Sequence, residues 1–507
     1  MGAYDECIET VIQNEDGLEK VRAQYCNLHV QSGGDGFFLE ELLPALEISH
    51  KRLKSFAGYL NDKRLTGIRL GVCFISECTE RDLQSIVDIS RLVNALHYFE
   101  HWHTLIVTFG YQAVDTFFFL SGFFIYFKLY KENGNRLFVG VMAIIRRFIR
   151  VTVPTFFMIM CMYLLPLVAS GPNSKDYYSR FYKEIQDHWW DLLLLIRNWR
   201  EDAFIATLPH LWYLSSDFQL FLVSLIVIQT FKTKKWLVTS TFAVLSLLFC
   251  AIAAWQIYGT IMTPFLVAVT PSFSTFINTL NRYYSRPFYH GVCFFSGCVT
   301  FLMTQKYGTR KISKVLQGAC WCLGLSCGLY CLFMKHDWYR SDGRATEARR
   351  MLYAFTDRIL WSICLSWFVF ACASNRAGPV SRFLSWEGFL PLSRLSFGVY
   401  LIHSPFFLLS SHIARERIFY SHYTLVSACF SVIVWCYILA YMMFVACEGP
   451  ISKLEMLIFA RRKRGPPVRK ISELASGHNE DGRAPPFTKD TYPVPADPAH
   501  MEKGCRL

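Results

Sequence analysis

Charge is what this chain has least of. Only 18% of its 507 residues are Asp, Glu, Lys or Arg, against 53% hydrophobic and 16% aromatic residues. A soluble fold of this length has no need to bury so much apolar surface, so the balance points to a lipid bilayer as the solvent. The motifs of nucleotide and metal chemistry are also missing. GxGxxG, P-loop, GxSxG, HExxH and paired CxxC patterns do not occur in a supporting context, which leaves metal and nucleotide-fold chemistry without support. No internal repeat or pair of broken apolar segments is present, so an inverted-repeat transporter ranks third among the readings. The formal charge of +13 is not gathered into a basic groove. It lies in short clusters between apolar runs and in the tail, which argues against a nucleic-acid partner and for the positive-inside rule.

What is present is a series of long apolar runs. Windows able to cross about 30 Å of hydrocarbon fall near 105–127, 148–170, 211–231, 236–255, 288–304, 315–334, 352–372, 392–411 and 423–447. The expected fold class is therefore an all-α integral membrane protein of about nine spans, with its termini on opposite sides. Basic connectors (Lys128, Lys131, Arg136, Arg146 and Arg147; Lys232, Lys234 and Lys235; Lys306, Arg310, Lys311 and Lys314) place alternate loops in the cytosol. The run Arg461 to Arg464 places the C-terminus there too, and residues 461–507, rich in Pro, Gly and charge, read as a disordered cytosolic tail. The bilayer is thus a partner, in a plasma membrane or an endomembrane, with the N-terminus extracellular or lumenal.

Cysteines form two populations. Thirteen lie between Cys161 and Cys447, mostly in apolar runs, where they act as small packing residues. Cys7, Cys26, Cys73 and Cys78 precede the first run, and in an oxidising compartment they suggest two disulfides with three possible connectivities. Residues 1–88 are therefore expected to form a small extracellular domain and 98–460 the membrane domain. The opening MGAYDECIET holds no apolar export core, which suggests that this start is not the natural one. Gly2 invites myristoylation, but Glu6 stands where Ser or Thr is wanted.

Ionisable groups inside spans are functional candidates by default. Asp115, in VDTFFFLSG, is expected to take Arg150 as its counter-ion, either to hold two helices together or to bind substrate. Arg146 and Arg147, at the expected cytosolic end of the second span, read as snorkelling anchors or as contacts to donor phosphates. In PHLWYLSSDFQ, His210, Tyr213, Leu214 and Asp217 share one helical face. A histidine and a carboxylate on that face suggest catalysis, and His403, with Arg394 on the same span, is the other intramembrane histidine singled out.

Five stretches bring a family to mind: VDTFFFLSGFFIYF, RRFIRVTVP, PHLWYLSSDFQLFL, YYSRPF and ASNRAGPVSRFLSWEGFLPLSRLSFGVYLIHSP. Together they resemble the acyltransferase-3 family. YDEC and IRLGVCFISECTERDL are similar to the extracellular domain of its animal branch, nose resistant to fluoxetine. The likeness covers about residues 4–88 and 98–460. It implies an enzyme that passes an acyl group from acyl-CoA to a hydroxyl acceptor, a sugar or a lipid, with no tightly bound cofactor. By position it assigns donor binding to Arg146, Arg147 and Arg150, and positioning or proton transfer to His210. The family's DGxR segment and following histidine are absent, since only QSIVDISRLVNAL separates ECTERDL from HYFEHWHTLIV. An incomplete or spliced, less active product is therefore expected. The rival is a noncatalytic protein of lipid or drug uptake.

Overall fold

The structure, a computed structural model, describes residues 11–13, 19–30, 68–75 and 110–460, apart from 133, 205, 267–272, 341–345 and 416–421. In the N-terminal region three strands form an antiparallel sheet in the order β1 (Val11–Gln13), β2 (Glu19–Val30) and β3 (Ile68–Ile75). Cys26 pairs with Val72 and Cys73 with Tyr25, so these two cysteines take adjacent rather than opposite register positions. Cys7 and Cys78 lie outside the described residues, as do 461–507.

The rest is helical: α1 (Gly110–Lys131), α2 (Arg136–Leu164), α3 (Ser174–Leu193), α4 (Trp212–Thr230), α5 (Lys235–Ile257) and the short α6 (Phe273–Asn278). There follow α7 (Pro287–Tyr307), α8 (Lys314–Arg340), α9 (Glu347–Ala373), α10 (Pro379–Leu384), α11 (Phe389–Ile413), α12 (His422–Met443) and α13 (Gly449–Ala460). Local chemistry marks the starts. Asn135 caps α2 by accepting from the Leu137 N–H at 3.1 Å. A 3₁₀ turn at Pro209–Leu211 leads into α4, and Pro287 opens α7, both where a missing N–H does no harm.

Among the described residues eight helices are long and apolar enough to cross a membrane, and the protein is a multi-pass membrane protein. Of the expected windows, only 288–304 falls on a helix outside those eight. That helix, α7, is well enclosed in the bundle, with thirteen buried residues from Tyr289 to Thr304. A helix walled by protein need not be as apolar as one that meets lipid, so its polar residues are tolerated. The second span differs too. The expected window began at 148, whereas α2 begins at Arg136. Arg146, Arg147 and Arg150 therefore sit within the helix, not at its end.

The contact between α1 and α7 organises the bundle. Asp115 meets His290, Gly122 meets Phe294, Gly297 meets Phe119, and Phe123 meets Phe301, so the two helices run parallel. Gly122 and Gly297 let the backbones touch: a Cβ at either would lie 2.0 Å from a carbonyl oxygen of the facing helix. Antiparallel α8 and α9 pack beside them, with Gly324 against Trp367 and the Cys331 thiol 3.5 Å from the Asp357 carbonyl. Gly398 of α11 approaches Ala440 of α12.

Gly297→Ala should force the two backbones apart and destabilise by roughly 1–3 kcal/mol or more. Gly140→Ala, where the added Cβ meets nothing within 4 Å, should be nearly silent. Thermal unfolding in detergent, read by size-exclusion fluorescence, checks both, and equal melting of the two variants would refute the close-contact account.

Candidate active site

Two groups of polar side chains lie inside the helical bundle. The first surrounds Asp115. His290 Nδ1 lies 2.7 Å from Asp115 Oδ1, and His290 Nε2 lies 2.7 Å from the Tyr284 carbonyl. Arg358 Nε is 3.1 Å from Asp115 Oδ2, while Arg358 Nη1 donates to Asp357 at 2.8 Å and Nη2 to the Tyr289 hydroxyl. Lys335 donates to Gln112 and stands 4.0 Å from Asp357. All of these groups are buried. The counter-ion of Asp115 is thus Arg358, assisted by His290. The expected Arg150 is exposed on α2 and takes no part. The reason is tertiary: Asp115 lies on the face of α1 that meets α7 and α9. Because both nitrogens of His290 are occupied, this histidine has no lone pair to offer a substrate, and its ring packs against Phe118 at 4.4 Å and Trp212 at 5.2 Å. Neither His290, Arg358, Asp357 nor Lys335 was singled out from the sequence, although each lies in or beside an apolar run.

The second group surrounds Asp217 and His210. It is built from α1, α2, α4 and α11. Arg147 Nη2 donates to Ser121 Oγ at 2.8 Å and to the Asp217 carboxylate, and its guanidinium lies 4.6 Å from the centre of the Phe221 ring. Ser121 and Asp217 are near the midpoints of α1 and of the Pro209–Thr230 span. Arg147 is therefore a mid-depth residue and not a membrane-end anchor, which corrects the expectation for it. Its charge is committed to Asp217, so binding a phosphate would require that pair to open. Arg146 is half-buried beside it on α2.

His210, Tyr213 and Asp217 do project from one face of the α4 region, yet they reach different neighbours. Tyr213 packs on Phe118 at 4.6 Å and on Tyr400 at 5.5 Å. His210 Nε2 lies 3.2 Å from the Leu401 carbonyl, and the Tyr400 hydroxyl donates to the His210 carbonyl at 2.6 Å. The His403 ring is 5.3 Å from the His210 ring, and its Nδ1 is 2.7 Å from the Tyr400 carbonyl. The structure brings His210, Tyr213 and His403 together and gives Asp217 to Arg147.

A carbonyl can only accept, so each histidine carries its proton on the nitrogen facing the backbone. His210 Nδ1 and His403 Nε2 are left as the acceptor atoms. Among the described residues His210 Nδ1 is sealed from solvent with no partner, as are Asp217 Oδ1 and Arg147 Nε. Buried polar atoms without partners are rare and call for an occupant. The connector before α4 fixes this geometry. Glu184 accepts from the Thr207 N–H at 2.5 Å and pairs with Arg197, and Asn198 donates to Ser216 at 3.0 Å and Gln219 at 3.1 Å. In the same connector, burial raises the Asp191 carboxyl pKa, whereas a hydrogen bond from Arg200 lowers that of Asp202. Among the described residues no cluster of His, Cys, Asp and Glu could hold a metal ion.

An acyltransferase domain matches residues 92–441. The chain belongs to that acyltransferase family. The N-terminal domain of the nose resistant-to-fluoxetine protein matches residues 1–87. Nose resistant to fluoxetine protein 6 of Caenorhabditis elegans is 27% identical over 449 residues, which is 80% of this chain and 52% of the relative. The chain therefore spans about half the length of that relative. No solved structure matches. The partnerless atoms of His210, Asp217 and Arg147 lie within the matched domain of this acyltransferase-like membrane protein.

Removing either charge of the Arg147 and Asp217 pair should strand the other. Asp217→Asn should cost roughly 3–5 kcal/mol, and the double variant with Arg147→Gln should cost clearly less than the sum of the singles. Melting of the four proteins in a double-mutant cycle decides it; strict additivity would mean that the pair contributes nothing.

Proposed function

We propose that the chain transfers an acyl group from acyl-CoA to a hydroxyl acceptor, a lipid or a sugar, with His210 as general base. The observation that carries this reading is the state of His210. Its Nε2–H is held by the Leu401 carbonyl, and its Nδ1 lone pair is buried with no partner among the described residues. In the reaction Nδ1 accepts the proton of the acceptor hydroxyl as that oxygen attacks the thioester carbonyl. The carbon–sulfur bond then breaks, and the leaving thiolate takes the proton back from His210, so the products are an ester and coenzyme A. Tyr213 and His403 line the same site. Asp217 and Arg147 close its inner end, with Asp115 acting through the α1 and α7 contact and not on the substrate. Arg146 and Arg150 keep the role of donor contacts from α2. The loops that carry the basic clusters face the cytosol, as does the C-terminus, while the cysteine-bearing N-terminal domain faces outward, with its disulfides formed there.

The rival, a noncatalytic lipid or drug uptake protein, is favoured by the relative's name, which records resistance to a drug and not a reaction. Turnover of labelled acyl-CoA by the purified chain in lipid nanodiscs separates the two. His210→Gln should lower kcat by about 10²–10⁴-fold with melting unchanged, the range expected for a lost general base. Unchanged turnover in that variant would remove His210 from the mechanism. No turnover in the wild type, with lipid or drug binding retained, would favour the rival.

A further inference from the structure

Packed against the connector between α2 and α4 is a cation that makes no ion pair among the described residues. Arg286, just ahead of α7, is 9% exposed, and its guanidinium lies 4.4 Å from the centre of the Trp199 ring. Among the described residues its side chain donates no hydrogen bond, and its Nη1 is sealed from water without a partner. Every neighbouring arginine is served: Arg197 by Glu184 and Asp191, Arg200 by Asp191 and Asp202, Arg282 by Glu201. Glu201 hydrogen-bonds Arg282 at 2.8 Å and acts on Arg286 only at longer range. Burial pushes the Arg286 guanidinium below the usual arginine range, against the opposing pull of Glu201 and with the help of the nearby Arg282 charge. A buried arginine without an acceptor is costly unless an anion completes it, and its planar fork suits an oxyanion.

The surroundings indicate where such an anion comes from. The connector leaves the end of one membrane span and enters the start of the next. Along α3 the outward residues before the bend at His188 are polar or charged, Lys175, Ser179, Arg180, Lys183, Gln186 and Asp187, whereas those after it are Trp189, Trp190 and Leu194. Trp199 itself is exposed. Exposed tryptophans beside the ends of spans belong at the boundary between headgroups and acyl chains. There the abundant oxyanion is a phosphodiester.

We propose that Arg286 and Trp199 form a binding site for the phosphate of a membrane phospholipid, with the ring of Trp199 facing the lipid and Arg286 donating to the headgroup oxygens. Trp189 and Trp190 hold the connector at the boundary. The site is separate from His210 and stands whether or not the chain turns over acyl-CoA.

The test is native mass spectrometry of the delipidated full chain, titrated with phosphatidylglycerol and, in parallel, with inorganic phosphate and coenzyme A as competitors. Arg286→Gln should weaken the tightest lipid-binding event about tenfold, the loss expected for a charge-assisted hydrogen bond. Trp199→Ala, a surface change that leaves the ion pairs intact, should weaken it too, which keeps the test decisive if Arg286→Gln does not fold. Unchanged lipid occupancy in both variants overturns the proposal. Displacement of the lipid by inorganic phosphate or by coenzyme A at equal concentration would also overturn it, because the site would then belong to a soluble phosphate or to the acyl donor.

Discussion

The parallel contact of α1 with α7 is the constraint on which the rest of the bundle depends. Lipid tails are as apolar as leucine, so helices in a bilayer gain nothing from hiding hydrophobic side chains from one another. Association has to come from close packing and polar contacts. Gly122 and Gly297 supply the first, bringing backbone against backbone. That approach sets Asp115 opposite His290, and the buried carboxylate then needs a full cation, which Arg358 of α9 provides. Asp357, next in the chain, requires Lys335 of α8 in turn. Four helices are thereby tied through one network of opposed charges.

The same contact fixes the start of α4. Phe118 lies against both His290 and Tyr213, while Trp212 also packs on the His290 ring. Trp212 and Tyr213 are therefore set by the α1 and α7 pair, and His210 follows one turn earlier. From the other side, the Glu184 contact to Thr207 and the Asn198 contacts to Ser216 and Gln219 hold the connector. Clamped from both directions, His210 keeps Nδ1 free without being mobile, which is the preorganisation that proton transfer needs.

The apolar windows were legible because a span must satisfy its own backbone and meet lipid along much of its length. The shared face of His210, Tyr213 and Asp217 was legible from periodicity alone. What the residues on that face would touch was not, because Tyr400 and Leu401 of α11 are nearly two hundred positions away. The partner of Asp115 was misjudged for the same reason: Arg150 is the near cation in sequence, but Arg358 is the near cation in space. His290 did carry a signal, as an ionisable residue near the start of an apolar window. Arg147 was misplaced because the apolar window opens after it, although the helix continues back to Arg136.

The two intramembrane groups show why charge alone does not mark a site. The cluster around Asp115 has the more charged residues, yet its histidine is fully engaged and its acids and bases oppose one another across four helices, the arrangement of a structural tie. The group around His210 has fewer charges, and one of its two ions is spent on the other. Its distinction lies in a directional vacancy: a histidine whose proton position is fixed by one backbone carbonyl, with the opposite lone pair unclaimed among the described residues. A structural histidine would be expected to use both nitrogens, as His290 does. Sparing one of them under tight packing leaves a desolvated acceptor in place, and such an atom is stabilised only when something bearing a proton arrives.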